Sequence, residues 1–417
     1  MNFHTEESPS SKAWNLDTKK HPSFPIHGDS VVTCLILDVP YDVIVTASDD
    51  HTITVYTLST GQLKFNLIGH QGGVWCLSSV KHDGQNLLAS GSSDKTVRIW
   101  DLASGKCLHI FRGHTSTVRC LVVVYPTLIE SSMNDKDLYP KLPLIVTASR
   151  DKSVKVWSIP GKDEHNFVAD EGADASDNPH HLFNLTGHTQ PVRGLSAHGR
   201  TAVSGSYDHT VRVWDIISGE CRHVLIGHSK KGKLQFHDHP VFLAQLTLLV
   251  YAVVYDPIRD QVYSTGMDGT IIIWSAKSGV CLHTLTGHQS LIGLLELSSS
   301  NLSPYLISGC ADATLKVWDP ITGTLVHTLS GHPGAITCFY HDEKRVLAGG
   351  DGLLRMWDIQ TGTVIKDLLK GMTAVWQVAF DGQWGVCASS DVKSIEGRQI
   401  QQSMLHIWDF GESDSKW

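Results

Sequence analysis

Residues 69–112 read GHQGGVWCLSSVKHDGQNLLASGSSDKTVRIWDLASGKCLHIFR, and this stretch decides the fold. It begins with a Gly-His pair, a short apolar segment and a small-residue segment that ends before Asp94. An apolar segment ending in Trp-Asp at Trp100 and a last short segment complete the unit. Short apolar segments bounded by Gly, Ser and Asp are typical of β-strands joined by tight turns. The stretch therefore predicts one sheet of four strands.

The same unit recurs along almost the whole chain. Its third-strand signature ends at eight aromatic residues: Tyr56, Trp100, Trp157, Trp214, Trp274, Trp318, Trp357 and Trp408. Successive signatures lie 39 to 60 residues apart, and the shorter intervals match the roughly 40–45 residues of a four-stranded propeller blade. We therefore predict an all-β protein, a closed eight-bladed β-propeller whose longer intervals carry insertions.

The repeated unit resembles the WD-repeat signature over about residues 22–410. In such a unit the His of Gly-His, a Ser or Thr of the second strand, the Trp and the turn Asp can form one buried hydrogen-bond chain. This interpretation assigns a structural role to six histidines: His70, His114, His188, His228, His288 and His332. The 24 histidines of the chain therefore do not indicate a metal site.

The last unit lacks a fourth strand, because the chain stops soon after Trp408. The stretch Pro22–Gly28, PSFPIHG, precedes the first repeated strand and has the composition of the missing one. We predict that this N-terminal strand completes the last blade, which removes an open sheet edge. The predicted domains are a disordered tail over 1–21, the WD-repeat propeller over 22–411 and a second tail over 412–417.

Three segments interrupt the repeat. Two of them, Thr127–Pro143 and Gly161–His180, are polar or acidic, and we expect exposed loops between strands. The apolar segment 232–249, GKLQFHDHPVFLAQLTLL, is an anomalous insertion where other blades have only two to four residues. Its removal leaves a normal repeat junction, and its ends can be encoded with GTAAG and AG splice-site sequences. We therefore hypothesise a retained intron, which the sequence of the mature transcript tests.

The composition is that of a globular protein. The chain has 417 residues, of which 41% are hydrophobic and 18% charged, enough to bury a large core. No apolar run approaches the roughly 18 residues that cross a bilayer, and the N-terminus lacks the apolar core of a secretory signal. The nine cysteines form no CxxC pair, which disfavours a disulfide or zinc framework. We expect a soluble, intracellular protein without a membrane partner.

No enzyme signature competes with the repeat. The sequence contains no Gly-rich phosphate loop after a strand, no GxSxG and no HExxH. We therefore expect a binding module with no catalytic residue, no cofactor and no metal. The net charge of −8 argues against nucleic acid as a partner, so any basic site must be local.

Binding residues are expected where a unit departs from the repeat. Equivalent positions of the eight units fall around one mouth of the central channel. The second position of the first strand carries Thr33, Trp75, Arg119, Arg193, Tyr251, Gly293, Thr337 and Trp376. The position before the turn Asp carries Asp49, Ser93, Arg150, Tyr207, Met267, Ala311 and Gly350. The arginines and most of the aromatic residues therefore fall in blades two to five.

This sector predicts an anion-binding pocket. Its three arginines are Arg119, Arg150 and Arg193. Guanidinium groups clustered without carboxylates repel one another unless an anion joins them, and their shape suits bidentate phosphate recognition. Lys95 either adds charge or is an ordinary turn residue. The hydroxyls of Ser116 and Thr117 either donate to a phosphate or satisfy the loop backbone.

Four segments are similar to the WD-repeat half of the cell-division-control F-box protein and its animal counterpart. They are GHTSTVRC at 113–120, TASRDKSVKVW at 147–157, SGSYDHTVRVWD at 204–215 and CLHTLTGHQSL at 281–291. Members of that family bind Ser/Thr-phosphorylated degrons as substrate receptors of SCF-type ubiquitin ligases. The resemblance implies that Arg119, Arg150 and Arg193 hold the phosphate, in a nuclear and cytoplasmic protein. It also implies a peptide groove lined by Trp75, Ser93, Thr117, Tyr207 and Tyr251.

The chain departs from that family at three points. Members often have Arg at the position of Lys95 and Thr at the position of Ser93. They also carry an F-box before the propeller, where this chain has only about 21 residues. We therefore expect an SCF adaptor as a partner only if a longer chain supplies the F-box. The alternative function is a phosphorylation-independent scaffold for a multiprotein complex. The net charge disfavours a nucleic-acid or phosphoinositide binder.

Overall fold

The computed structural model describes residues 19–130, 136–228, 249–298, 304–395 and 398–411. Eight antiparallel sheets, here called blades one to eight, follow one another along the chain. In each blade we call the strands a to d in chain order. The predicted tails, apart from residues 19–21, and all of 232–249 except Leu249 lie outside the described residues.

The strand bounds repeat regularly. Blades one to four consist of Val32–Asp38, Val43–Ser48, Ile53–Thr57 and Leu63–Leu67; Val74–His82, Gln85–Ser92, Val97–Asp101 and Lys106–Phe111; Val118–Val124, Leu144–Ser149, Val154–Ser158 and His181–Leu185; Val192–His198, Thr201–Ser206, Thr210–Asp215 and Glu220–Ile226. Blades five to seven consist of Val250–Asp256, Gln261–Gly266, Ile271–Ser275 and Cys281–Leu285; Ile292–Leu297, Leu306–Cys310, Leu315–Trp318 and Leu325–Leu329; Ile336–His341, Arg345–Gly350, Leu353–Asp358 and Val364–Lys370. Blade eight has Ala374–Phe380, Trp384–Ile395 and Arg398–Asp409 as strands a to c.

The ring is closed, as predicted. Each strand a contacts the strands a of both neighbouring blades, and strand a of blade eight contacts strand a of blade one. Strands a therefore surround the channel. Strands b are inner strands of their blades and are buried almost throughout. Because both of their faces are buried, small and apolar residues follow one another there without alternation.

The N-terminal segment supplies the outer strand of blade eight. Lys19–Lys20 pairs with strand c opposite Asp409 and Trp408, and Phe24–Pro25 pairs with it opposite Leu405 and Met404. The predicted closure is thus confirmed. The pairing begins at Lys19, however, so the predicted limit of the N-terminal tail at residue 21 lies too far along the chain.

Blade two contains the predicted hydrogen-bond chain. The Nδ1 of His70 lies 2.8 Å from Asp94 Oδ2, and its Nε2 lies 2.8 Å from Ser90 Oγ. The Trp100 indole donates to the same Ser90 oxygen at 2.8 Å. Burial alone would raise the pKa of Asp94, but the hydrogen bonds from His70 and the neighbouring loop outweigh it and hold that pKa far below its usual range. Burial also lowers the pKa of His70, so at neutral pH the hydrogen-bond chain joins a neutral ring to an ionised carboxylate.

The same arrangement recurs in four more blades. The His–Asp pairs are His114–Asp151, His188–Asp208, His228–Asp268 and His288–Asp312. Blade one forms an equivalent that the Gly-His pattern missed: His27 bonds to Asp50 at 2.9 Å and to Thr46 at 2.9 Å. The residues there read His-Gly instead of Gly-His. A search for an Asp that follows a strand of small residues would have found this unit.

Blade seven lacks the predicted hydrogen-bond chain, although His332 is buried with its ring 5.3 Å from that of Trp357. Ala348 takes the place of Ser90, since Ala348 pairs with Arg355 as Ser90 pairs with Arg98. The b–c turn is also shorter, with Gly350 directly opposite Leu353. Both ring nitrogens of His332 are buried without a hydrogen-bond partner. Burial, with the nearby Arg355 charge, lowers the pKa of His332 to about 4.

Replacing His332 by phenylalanine should stabilise the fold more at pH 5 than at pH 7. An unfolded histidine has a pKa near 6.5. Between pH 6.5 and 4, therefore, the side chain of His332 is protonated in the unfolded chain and neutral in the folded chain. This difference favours unfolding as the pH falls and is worth about 1–2 kcal/mol at pH 5. Urea denaturation at both pH values measures it. The control His70→Phe breaks a hydrogen-bond chain and should destabilise at both pH values; an equal effect of His332→Phe at both would contradict the prediction.

The insertion at Thr127–Pro143 is only partly the predicted loop. Thr127–Glu130 and Lys136–Tyr139 form a hairpin in which Leu128 lies opposite Leu138. The Tyr139 hydroxyl donates to the carbonyl of Ile216 in blade four at 3.3 Å. Apolar residues that alternate with the charged ones thus form a pair of strands. The polar composition of the whole segment gave no sign of them.

The segment Gly161–His180 also differs from a solvated loop. Ile110, in the outer strand of blade two, donates to Phe167 at 2.9 Å and accepts from Ala169 at 3.1 Å. A short 3-10 helix, Ala175–Asp177, follows, and Ala175 packs into the core beside blade two. The segment therefore covers the edge of that blade. The other 3-10 helix is Val39–Tyr41, and no helix of the described residues is long and apolar enough to cross a membrane.

Candidate functional site

One repeated hydrogen bond brings the two predicted ring positions together. The N–H before the turn Asp donates to a carbonyl of the d–a loop of the same blade. The bonds are Ser93 to Gly73 at 2.9 Å, Arg150 to Thr117 at 2.9 Å and Tyr207 to Pro191 at 3.0 Å. The b–c turns and the starts of strands a thus meet at one mouth of the channel.

A cavity of about 490 Å³ opens at this mouth. Its lining comes from blades two, three and four: Gly73, Trp75, Ser93, Thr117, Arg119, Arg150, Pro191, Val192, Arg193 and Tyr207. All three predicted arginines lie in it, with four of the other seven predicted residues. The convergence predicted from repeat equivalence is therefore found in the structure.

Arg119 stacks on Trp75. Its guanidinium carbon lies 4.2 Å from the centre of the indole ring, the geometry of a cation–π contact. Burial lowers the pKa of Arg119, and the adjacent Arg193 charge lowers it further. An arginine remains protonated at neutral pH nevertheless, so the stack holds a partly dehydrated cation at the floor of the cavity.

The three cavity arginines have no acidic partner in the part of the chain that the structure describes. Among the described residues, no carboxylate lies within 4.0 Å of Arg119, Arg150 or Arg193, whereas Arg200, Arg222, Arg259, Arg345 and Arg355 each form an ion pair. Arg119 and Arg193 are half-buried at the cavity wall, and Arg150 is exposed there. Three unpaired cations around one cavity form a site that attracts an anion with several acceptor oxygens.

Two tyrosines extend the site toward blade five. The rings of Tyr207 and Tyr251 lie 5.7 Å apart. Burial, with the neighbouring Tyr207, raises the pKa of Tyr251, so the Tyr251 hydroxyl remains neutral at pH 7. Tyr251 follows the undescribed part of the chain, yet strand a of blade five has the same register shift after its first residue as that of blade three. Its predicted ring position is therefore occupied.

Three predicted residues are not among those that line the cavity: Tyr251, described above, Lys95 and Ser116. Lys95 lies in a separate depression together with Glu171 and Asp174. Ser116 accepts a hydrogen bond from Ser149 through its carbonyl at 3.1 Å. Lys95 thus lies at a depression that it shares with the insertion of blade three, whose position the sequence does not reveal.

Replacing Lys95 by asparagine should change affinity for an anionic ligand of the cavity by less than about twofold, the scale of a solvent-exposed charge. Asparagine suits the test because Lys95 has a φ of 72°, which Asn tolerates. Titration of a labelled phosphopeptide measures the effect. A loss as large as that of an arginine variant would show that Lys95 contacts the ligand.

The cavity wall also contains residues that the sequence argument missed. Gly73, Pro191 and Val192 belong to the d–a loops just before strands a. At Gly73 a Cβ would lie 3.0 Å from Asp49 Cα, a tight contact, so the close approach of blade one favours glycine. A comparison of d–a loops, rather than of strand positions alone, would have found these residues.

One group of metal-ligating side chains lies away from the cavity. His288, Cys310 and Asp312 have ligand atoms within 4.8 Å of one another. These groups already form hydrogen bonds within blade six. His288 bonds to Asp312 at 2.9 Å, and Cys310 Sγ accepts the Asp312 N–H at 3.4 Å. Burial raises the pKa of Cys310 to about 11, which keeps the thiol protonated and a poor ligand.

Curated proteins from yeasts are similar to this chain. Cell division control protein 4 of Candida albicans is 43% identical over 389 residues, which cover 93% of this chain and 52% of that protein. Cell division control protein 4 of Saccharomyces cerevisiae is 32% identical over 93% of this chain and 47% of its own length. The chain thus spans about half the length of these relatives.

The fold and the repeats have further matches. The crystal structure of the computationally designed Ika8 protein has a TM-score of 0.67 and 25% identity, covering 92% of this chain and 98% of that one. The sequence profile described as "WD domain, G-beta repeat" matches residues 19–57, 61–101, 105–158, 180–215, 219–275, 279–319 and 323–358. These matches span most of the propeller, and the chain therefore belongs to the WD domain, G-beta repeat family.

Proposed function

We propose that the propeller is a non-catalytic receptor for Ser/Thr-phosphorylated peptide segments, which it binds at the mouth formed by blades two to five. The observation that carries the proposal is the set of three unpaired arginines around one cavity. A phosphate monoester offers three strong acceptor oxygens and a charge of about −1.5 to −2. Arg119, Arg150 and Arg193 each supply a fork of N–H donors suited to that group.

The aromatic side chains favour a peptide over a free anion. Trp75, Tyr207 and Tyr251 lie beside the arginines and offer apolar surface to the residues that flank a phosphoresidue. An extended segment crossing the mouth would thus gain charge-assisted bonds at its phosphate and packing on either side. The net charge of −8 disfavours a long polyanion as the ligand.

A wider role follows from the family resemblance. The similar proteins are named for control of cell division. We propose that a longer chain supplies an F-box, so that the propeller presents phosphorylated substrates to an SCF-type ubiquitin ligase in the nucleus and cytoplasm. Co-purification of an SCF adaptor with a chain extended by an F-box, and not with the propeller alone, tests this part.

Fluorescence anisotropy tests the proposed binding. A labelled Leu-Leu-phosphoThr-Pro-Pro peptide is titrated beside its unphosphorylated twin, against the chain with and without residues 232–249. We expect phosphate-dependent binding. Binding by the shortened form alone would also support the retained-intron hypothesis, whereas equal binding by both forms would remove its functional basis.

The competing function predicts a different result. A scaffold that joins subunits through its rim would be indifferent to phosphorylation of the peptide. Equal affinity for both peptides, in both forms of the chain, would therefore overturn the proposed function in favour of the scaffold.

A further inference from the structure

The b–c connection of blade eight is a long hairpin instead of a tight turn. In blade two, strand b ends at Ser92 and strand c begins at Val97. In blade eight the same two strands stay paired much further, over residues 391–395 and 398–402. We call these residues the blade-eight hairpin. At about 3.3 Å per residue, they lengthen the two strands by roughly 15 Å.

The blade-eight hairpin extends from the face of the propeller that contains the phosphate cavity. The b–c turns meet the starts of strands a at this mouth, as the backbone hydrogen bonds of Ser93, Arg150 and Tyr207 show. The hairpin takes the place of that turn in blade eight. It begins just after Ser390, which pairs with Ala374 at the start of strand a. A peptide bound across the mouth can therefore reach it.

One edge of the hairpin lies on the channel side of blade eight. Strand b is placed between strands a and c, and its pairing with strand a stops at Ser390. The edge of residues 391–395 therefore lies in line with strand a, and strands a surround the channel. The edge of residues 398–402 lies in line with the N-terminal strand on the outside of the blade. We call these the inner and the outer edge.

The inner edge presents backbone groups for a further strand. Backbone N–H and C=O groups point alternately to the two sides of a strand. The Ser390 carbonyl points toward strand a, since it accepts the Thr373 N–H at 2.9 Å. Val392 follows in the same alternation, and no strand of the described residues pairs with it on that side. Its side chain is exposed, so the inner edge offers a donor and an acceptor beside apolar surface.

An extended peptide is the ligand that suits this edge. Two strands alone are only marginally stable in water, and a third strand adds hydrogen bonds and covers apolar side chains. A peptide can supply that strand through its backbone. The sequence of the hairpin has two acidic and two basic residues, Asp391, Glu396, Lys393 and Arg398. Its net charge therefore neither attracts nor repels a phosphorylated chain.

We propose that the blade-eight hairpin binds the phosphorylated ligand at a second place, by β-augmentation. A segment of the ligand beyond the cavity pairs with the inner edge at Val392 as a third strand of the hairpin. The phosphate, held by Arg119, Arg150 and Arg193, raises the local concentration of that segment at the hairpin. The inference rests on the proposed function and specifies its substrate class: ligands with an unfolded segment on one side of the phosphoresidue that is long enough to cross the mouth.

Labelled peptides of two lengths test the second contact. The short peptide is Leu-Leu-phosphoThr-Pro-Pro. The long peptides add a tail of alternating Ser and Thr on the N-terminal or the C-terminal side, about 12 residues that extend over roughly 40 Å. A further pair carries the same tails with N-methylated backbone nitrogens, which cannot pair as a strand. Unphosphorylated twins of all peptides report the phosphate dependence.

Two proline variants of the chain complete the test. Val392→Pro removes an N–H from the inner edge. The matched control Gln399→Pro removes one from the outer edge, since Gln399 follows the alternation of Ser403, whose N–H donates to Gly28 at 2.7 Å. Edge strands tolerate proline where the lost N–H does not bond within the sheet. Anisotropy titrations compare both variants with the wild-type chain.

We expect one of the two tails to tighten binding about three- to tenfold, the effect of about two net backbone hydrogen bonds less the ordering of the tail. The gain should vanish with the N-methylated tail and in Val392→Pro, and it should persist in Gln399→Pro. All three chains should bind the short peptide alike.

Three results would overturn the inference while phosphate-dependent binding of the short peptide upholds the site. They are no gain from either tail, a gain that N-methylation leaves intact, and a gain that persists in Val392→Pro. N-methylation changes only the ligand, so its result holds even if a proline variant disturbs the hairpin. Loss of phosphate dependence with the short peptide would overturn the proposed function as well.

Discussion

Replacing Arg119, Arg150 or Arg193 by alanine should each weaken binding of a phosphopeptide by about 2–5 kcal/mol, the loss expected when a charge-assisted contact is removed from a buried pair. Among the described residues, no carboxylate lies within 4.0 Å of these guanidinium groups, unlike those of Arg200 and Arg355. Removing one of them therefore breaks no ion pair among those residues, and the melting temperature should stay close to that of the wild type. Titration calorimetry with phosphorylated and unphosphorylated peptide measures the loss.

The arginine variants have a clear control. Lys277 is exposed in the c–d turn of blade five, at the other end of the blade from the cavity. Lys277→Ala removes one positive charge from the same molecule and should leave affinity unchanged. Unaltered affinity in all three arginine variants would contradict the assignment of the phosphate site. A uniform small loss that Lys277→Ala shares would point to a general electrostatic effect.

Replacing Trp214 by alanine should lower the free energy of unfolding by about 3–5 kcal/mol, as expected for a large buried aromatic residue. Only 1% of its surface is exposed. Its indole donates to Ser204 at 2.8 Å, and Ser204 lies 2.8 Å from His188 Nε2. The variant thus loses packing between blades and one end of a buried hydrogen-bond chain.

A second tryptophan separates stability from binding. Trp75 is half-buried at the cavity, where Arg119 stacks on it. Trp75→Ala should weaken phosphopeptide binding with a smaller loss of stability than Trp214→Ala, because the Trp75 ring is only half-buried and lines the cavity, whereas the Trp214 ring is fully buried in the core. Urea denaturation and anisotropy of both variants test this. Equal loss of stability in the two would contradict the division between scaffold and site.

Repeat equivalence explains how much of the site the sequence predicts. A position in one blade specifies where its counterparts lie in all the others, so Arg119 and Arg193 could be placed around one mouth without coordinates. The b–c position of Arg150 follows in the same way. The stack of Arg119 on Trp75 could not be predicted, because side-chain rotamers at neighbouring blades depend on packing that the repeat does not encode.

The structure differs from the predictions made from the sequence where the chain departs from its repeat. The segment 161–180 is acidic overall, yet Phe167, Ala169 and Ala175 contact blade two, and composition averages over such residues. That contact places Glu171 and Asp174 beside Lys95 rather than leaving Lys95 at the channel. His332 keeps the Gly-His motif while its Ser partner is missing, so a motif of two residues predicts the blade and not its hydrogen bonds.

A crystal structure of the chain with a bound phosphothreonine peptide shows where the phosphate lies. We expect phosphate oxygens about 2.7–2.9 Å from guanidinium nitrogens of Arg119, Arg150 and Arg193, with the peptide crossing the mouth beside Trp75 and Tyr207. A phosphate bound elsewhere on the propeller, with these three arginines still solvated, would contradict this expectation.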